Sequence, residues 1–166
     1  MIIIYCCFGG SHSSVTAAAI HLGMLSSTKI PTGKELLSVP YYDRQIGKDH
    51  GYFRYMGDDE YGNQIYIIGK HNLGKGFEDL IRQLAKILGL DQGNLVIVDT
   101  MPYVNLMMMI GGYTSRRLGI VTIGRPIVIR GTQNAFLKLA SMVHRLKITV
   151  ASGRSYMEAL NENNLL

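Results

Sequence analysis

The spacing of apolar residues changes several times along the chain, and each change marks a different element. Met1 to Phe8 is a continuous run rich in Ile, Tyr and Cys that stops at Gly9-Gly10, the pattern of a strand buried on both faces. Ser13 to Leu25 carries Val15, Ala17, Ala18, Ala19, Ile20, Leu22 and Leu25, which predicts an alanine-rich helix with little polar surface. Ser26 to Pro40 holds Pro31, Gly33 and Pro40 around Glu35-Leu36-Leu37 and reads as a loop with one helical turn. Tyr52 to Met56 and Gln64 to Ile68 are aromatic and β-branched runs on either side of the acidic, glycine-bounded loop Gly57 to Asn63, so a hairpin is expected. Phe77, Leu80, Ile81, Leu84, Ile87 and Leu88 recur every three or four residues and predict an amphipathic helix closed by Gly89.

The second half begins with a short apolar run, Leu95 to Asp99, read as another interior strand. Pro102 suits the first position of a helix through Val104, Leu106, Met107, Met108 and Ile110, bent near Gly111-Gly112. Ile120 to Ile123 and Ile127 to Ile129 are short β-branched runs separated by Gly124-Arg125-Pro126. Thr132 to Leu146 reads as a helix capped by Thr132, and Ile148 to Ala151 as a final strand before a polar tail at about 152–166.

Strand followed by helix, repeated in a chain without internal repeats, predicts an α/β fold. We expect three layers around a mainly parallel central sheet. The first strand, turn and helix are P-loop or Rossmann-like, and the hairpin at about 52–68 is an insertion. Residues 1–166 then form one domain, with ligands gathering where strands end.

Composition narrows the function classes. The 166 residues are 47% hydrophobic, and 17 Lys+Arg against 12 Asp+Glu leave a net charge of +5, which excludes a disordered chain and predicts a buried core. Cys6 and Cys7 are adjacent, so they build neither a disulfide framework nor a zinc site; no metal ligand set is predicted, and a reducing, cytoplasmic setting is expected. The opening apolar run lacks a basic leader and no stretch reaches the ~18 apolar residues of a membrane span, so no membrane partner is expected. Basic residues are scattered rather than massed, which suits a phosphate-sized ligand better than nucleic acid, despite ten tyrosines.

The candidate chemistry lies in the turn Phe8-Gly9-Gly10-Ser11-His12-Ser13-Ser14. Gly9 and Gly10 let backbone approach an anion, Ser11, Ser13 and Ser14 add hydroxyls, His12 is a donor or proton carrier, and the helix start adds free N–H groups. The plainer alternative is a tight turn with Ser13 as cap. The turn departs from the Walker A spacing GxxxxGK[ST], having no lysine. It also departs from the cysteine phosphatases, which place an arginine six residues after the nucleophile; here His12 and Ser13 stand six after Cys6 and Cys7, and core packing is the better reading of both cysteines. A second turn, Gly69-Lys70-His71-Asn72-Leu73-Gly74-Lys75-Gly76, meets seven Walker A positions but has Gly76 where Ser or Thr is needed; Lys70, His71 and Lys75 are candidate contacts to the same anion. Asp99 resembles a magnesium-holding Walker B aspartate or else caps the helix opened by Pro102. Arg125 and Arg130 are fork donors to an anion or surface ion-pair partners, and Arg116-Arg117 complement a helix end.

The segment Ile3 to Gly23, together with Gly69-Lys70-His71 and Gly124-Arg125-Pro126, resembles a family of short bacterial proteins known as domain of unknown function 3189. The resemblance implies a cytosolic protein of spore-forming bacteria and supplies no activity. From the residues, the expected function is binding of a phosphate-bearing small molecule or nucleotide at the first turn, by Gly9, Gly10, Ser11, His12, Ser13 and Ser14 with Lys70 and Lys75. If the protein is an enzyme, phosphoryl transfer or hydrolysis would use His12 and Asp99, with magnesium when a nucleotide is bound. The alternative is a non-catalytic regulatory or protein-interaction module, with self-association open to it.

Overall fold

In the computed structural model, which describes residues 1–152, four strands form one sheet in the order β2-β3-β1-β4. β1 (Ile2–Cys7) is central and pairs in parallel with β3 (Gln64–Gly69) on one side and β4 (Leu95–Asp99) on the other. β2 (Arg54–Asp58) lies antiparallel on the outer edge of β3, with an irregularity between Tyr55 and Gly57. The expected hairpin forms, and it is built into the sheet, since β3 pairs along the whole length of β1.

Side chains of β1 alternate between two cores, as the period of two in a strand requires. Ile3 and Tyr5 face the larger core with Ile65, Ile67, Val96 and Val98, beneath α1 (Ser13–His21) and α5 (Val121–Ala151). Ile4 and Cys6 face a smaller one with Ile68, Ile97 and Phe77, the last from α3 (Gly76–Ile87). Helices on both faces make three layers. Every residue of α1 is buried, which explains its lack of an amphipathic pattern: it is sandwiched between the sheet and α5, and its alanines let both approach closely. The apolar pattern carries α1 to Leu25, but the helix ends at His21, where the chain turns through Gly23 at φ +69°.

Between α1 and β2 the loop contributes one short helix, α2 (Gly33–Ser38), opened by a capping box between Thr32 and Glu35. α3 buries only Phe77 and Ala85 fully, leaving Leu80, Leu84 and Ile87 exposed. Pro102 lies in a single 3-10 turn, Met101–Tyr103, and the helix proper, α4 (Leu106–Gly112), begins after Asn105, whose Oδ1 accepts from Met108 N at 3.0 Å. A π turn, Tyr113–Arg117, then interrupts the helix at the expected glycines.

The largest departure from the sequence pattern is α5. The β-branched runs at 120–123 and 127–129, the expected start at Thr132 and the expected strand at 148–151 all belong to one helix of 31 residues. Gly124, Val128, Gly131, Ala135, Leu139, Met142 and Leu146 form a continuous buried face at helical spacing, and burial along it outweighs the modest strand preference of Ile and Val. Thr132 is no cap: it is buried in mid-helix, where its Oγ1 donates to Val128 O at 2.9 Å and meets the Tyr42 hydroxyl at 2.7 Å. Pro126 lies in the second turn, where it removes only one intrahelical bond.

α4 and α5 touch backbone to backbone. A Cβ on Gly111 would sit 2.8 Å from Val128 Cα and 2.9 Å from Gly124 O. Helix propensity alone predicts that Gly111→Ala stabilises by ~1 kcal/mol. The collision with backbone reverses that sign, and Gly111→Ala is expected to destabilise the protein by about 1–3 kcal/mol in a thermal or urea melt.

Candidate functional site

The two glycine-rich turns lie side by side at the carboxyl ends of β1 and β3. Lys70 N donates to Cys7 O and His71 N to Phe8 O, each at 2.9 Å, so the pairing continues past the sheet into both turns. Gly10 is at φ +66°, and a Cβ there would lie 2.6 Å from Gly69 N. Glycine is needed at this point for both its conformation and its lack of a side chain.

The serines of the first turn are used to build it. Ser11, Ser13 and Ser14 are all buried. Gly10 N donates to Cys7 Sγ at 3.1 Å, and that sulfur lies 3.2 Å from Ser14 Oγ. Thr100, just past β4, holds its Oγ1 within 2.9 Å of Cys6 O and 2.8 Å of Ser13 Oγ. Gln45 Nε2 donates to Gly10 O, while Gln45 Oε1 is buried without a partner. His12 occupies the N-cap position of α1, and no side chain caps that helix, so Ser13 is not the cap the plainer reading assigned. The start of α1 thus faces the turn with its N–H groups uncovered by any cap.

His12 is held from outside the turn. Its Nε2 lies 3.1 Å from Asp43 Oδ1. Asp43 is fully buried and adopts φ +49°, and its own N–H donates to Ser11 O at 3.0 Å. The Ser115 hydroxyl lies 2.9 and 3.0 Å from the two carboxylate oxygens, Arg116 Nε is 3.0 Å from Oδ1, and Arg125 Nε donates to Oδ2 at 2.7 Å. Burial works against the ionised carboxylate, but the bonds from His12 and Arg125 outweigh it and hold Asp43 down at about 2. Arg116 and Arg125 hydrogen-bond through Nε, their terminal amino groups have no hydrogen bond among the described residues, and their side chains are 19% and 35% exposed.

Lys70 is buried, and its Nζ donates to Asp99 Oδ2 at 2.6 Å and Gly74 O at 3.2 Å. Asp99 Oδ1 also accepts from Met101 N at 3.0 Å, so its carboxylate is shared between Lys70 and the start of the 3-10 turn that holds Pro102. Lys75 is exposed at the start of α3, with no hydrogen bond or ion pair among the described residues. Cys6 is pushed up to about 12 by burial and then by Asp99, which suits a core residue and not a nucleophile. Beside the first turn, the rings of Phe8, His50 and His71 form a cluster.

The structure therefore brings Gly9 to Ser14, Lys70 and Asp99 to one end of the sheet. Sequence reasoning misses Asp43 and the link from Arg116 and Arg125 to it. Asp43 lies 31 residues from His12, 72 from Ser115 and 82 from Arg125, and no local pattern marks such a meeting. A cavity of about 630 Å³ lies at the other end of the sheet, between the end of α1, the β2–β3 turn and the last turns of α5, and includes none of these residues. Among the described residues no group of three or more His, Cys, Asp or Glu gathers as a metal site, and no helix is long and apolar enough to cross a membrane.

Asp43→Asn leaves two guanidinium groups without their carboxylate, and a loss of about 3–5 kcal/mol in a denaturant melt is expected. Because the folded pKa of Asp43 lies below its ordinary value, its contribution is full above about pH 4 and disappears as pH falls toward 2. An acid titration of the melting temperature should show a drop in that window that is absent from Asp43→Asn.

No curated protein and no solved structure matches the chain. The family model described as Protein of unknown function (DUF3189) matches residues 2–148, which span every strand and nearly all of the last helix. The chain belongs to the DUF3189 family.

Proposed function

We propose that this protein binds a phosphate-bearing small molecule, nucleotides included, at the turn after β1. The observation that carries the reading is the pair Arg116 and Arg125. Each spends its Nε on the buried Asp43 and keeps its terminal amino groups free of hydrogen bonds among the described residues, and such guanidinium groups can take up phosphate or carboxylate oxygens. The uncapped start of α1 adds backbone N–H groups and a partial positive charge on the same turn. The arginines supply the cationic charge that the missing Walker lysine would have brought, because Lys70 is committed to Asp99.

Where chemistry accompanies binding, it is phosphoryl transfer or hydrolysis, since positioning and charge neutralisation account for most of that catalysis. His12, fixed by Asp43, is the group placed to carry a proton. Asp99 could hold magnesium only by releasing Lys70, so any ion brought by a nucleotide would be bound first by the phosphates.

The test is a thermal-shift panel of inorganic phosphate, sugar phosphates and nucleotides, with and without magnesium. A ligand at 100 times its Kd raises stability by about 2.7 kcal/mol. A selective rise is expected in the wild type and is lost in Arg125→Lys, which keeps a positive charge near Asp43 but removes the fork. No shift with any member would overturn the reading in favour of a non-catalytic interaction module, for which the exposed Leu80, Leu84 and Ile87 of α3 are the natural starting point.

A further inference from the structure

Three separated segments meet beside the first turn without any part in its hydrogen bonding to Asp43: Phe8 at the end of β1, His50 in the segment before β2, and His71 just after β3; the charge of Arg117, in the π turn, also acts on His50. The imidazoles of His50 and His71 have ring centroids 4.9 Å apart. Phe8 lies 4.8 Å from His71 and 5.9 Å from His50, and is 46% exposed. His50 packs tightly on both glycine turns: a Cβ on Gly69 would lie 3.0 Å from its Cδ2, and one on Gly9 would lie 3.9 Å from its Nε2. His71 holds a left-handed backbone at φ +49°, an unfavourable conformation for a residue with a side chain, fixed by the bond from its N–H to Phe8 O.

Burial, then His71 and Arg117, hold His50 below its usual range, and only Asp49 acts in the other direction. Asp49 is itself taken up by Arg54 at 2.6 Å and by Ile46 N at 2.8 Å. The next charges along the sheet edge, Lys70 and Asp99, neutralise one another. His50 therefore feels the positive charge of Arg117 while its acidic neighbour Asp49 is already paired, and an anion placed there would offset that charge and favour the protonated form of His50.

We propose that His50, His71 and Arg117 form a second anion subsite adjoining the first turn, so that the ligand of this protein carries at least two phosphate groups, as a pyrophosphate or nucleoside diphosphate does. The inference rests on the proposed phosphate site at His12, Arg116 and Arg125 and adds the phosphate count. Arg116 and Arg117 are consecutive in the π turn: Arg116 is bonded to Asp43, and the charge of Arg117 acts on His50.

Calorimetric titration of the full chain with inorganic phosphate and with pyrophosphate, at about pH 6 and about pH 8, tests it. Pyrophosphate is expected to bind about tenfold or more tightly than phosphate at the lower pH. The double variant His50→Gln, His71→Gln should lose that preference while retaining the affinity for phosphate. Arg117→Gln, at an exposed position, should reduce the preference as well and gives an independent reading if the double variant folds poorly. Phosphate binding with no preference for pyrophosphate, or a preference that survives Arg117→Gln and the double variant, overturns the second subsite and leaves the first intact. Failure of both anions to bind overturns the two together.

Discussion

A single buried carboxylate ties together the end of the sheet that carries the first glycine turn. Asp43 takes bonds from the first turn through His12, from the π turn through Ser115 and Arg116, and from α5 through Arg125. Remove its charge and the two arginines lose their buried counter-ion; remove the arginines and the carboxylate is left with only His12 and Ser115 among its side-chain partners in the described residues. Such mutual dependence is costly to assemble from solvated ions, and it is sustained because each partner is fixed by other packing. His12 begins α1, Arg125 belongs to a long helix, and Ser115 sits against the glycine face of that helix. The left-handed backbone at Asp43 is a further strain that these bonds offset.

Close backbone approach is the second organising constraint, and it occurs in two places. At the sheet, Gly10 and Gly69 let the two turns join at a distance no side chain would permit. At the helices, Gly111 and Gly124 let α4 and α5 pack so tightly that the π turn and its arginines are directed toward the first turn. The glycines thereby serve the site indirectly, by setting where charged side chains on distant segments can reach. The end of the sheet that carries the first turn differs in this respect from a P-loop, whose lysine and hydroxyl lie within the loop itself. Here the loop supplies backbone and a histidine, and its cationic partners come from the second half of the chain.

Much of the architecture is legible from local pattern. The continuous apolar runs of β1 and β4 mark interior strands, the paired aromatic runs mark the hairpin, and the three- and four-residue spacing from Phe77 marks α3. Local pattern fails for α5, where β-branched residues and an internal proline suggest breaks that long-range burial overrides. Nor does it show that the turn serines are buried, with Ser11 and Ser13 accepting from Gln45 N and Thr100 Oγ1 and Ser14 beside Cys7 Sγ.

The amino-acid sequence determined where β1 and β3 run into their glycine turns and where α1 begins, because period and turn residues act over a few positions. The meeting of Asp43 with Arg116 and Arg125, the pairing of Lys70 with Asp99, and the gathering of Phe8, His50 and His71 were decided by tertiary structure alone. The physical reason is that an isolated charge in a polar loop looks the same whether it will face solvent or a buried partner. Only the packing of α5 across α1 and the sheet removes water from Asp43 and makes its partners obligatory.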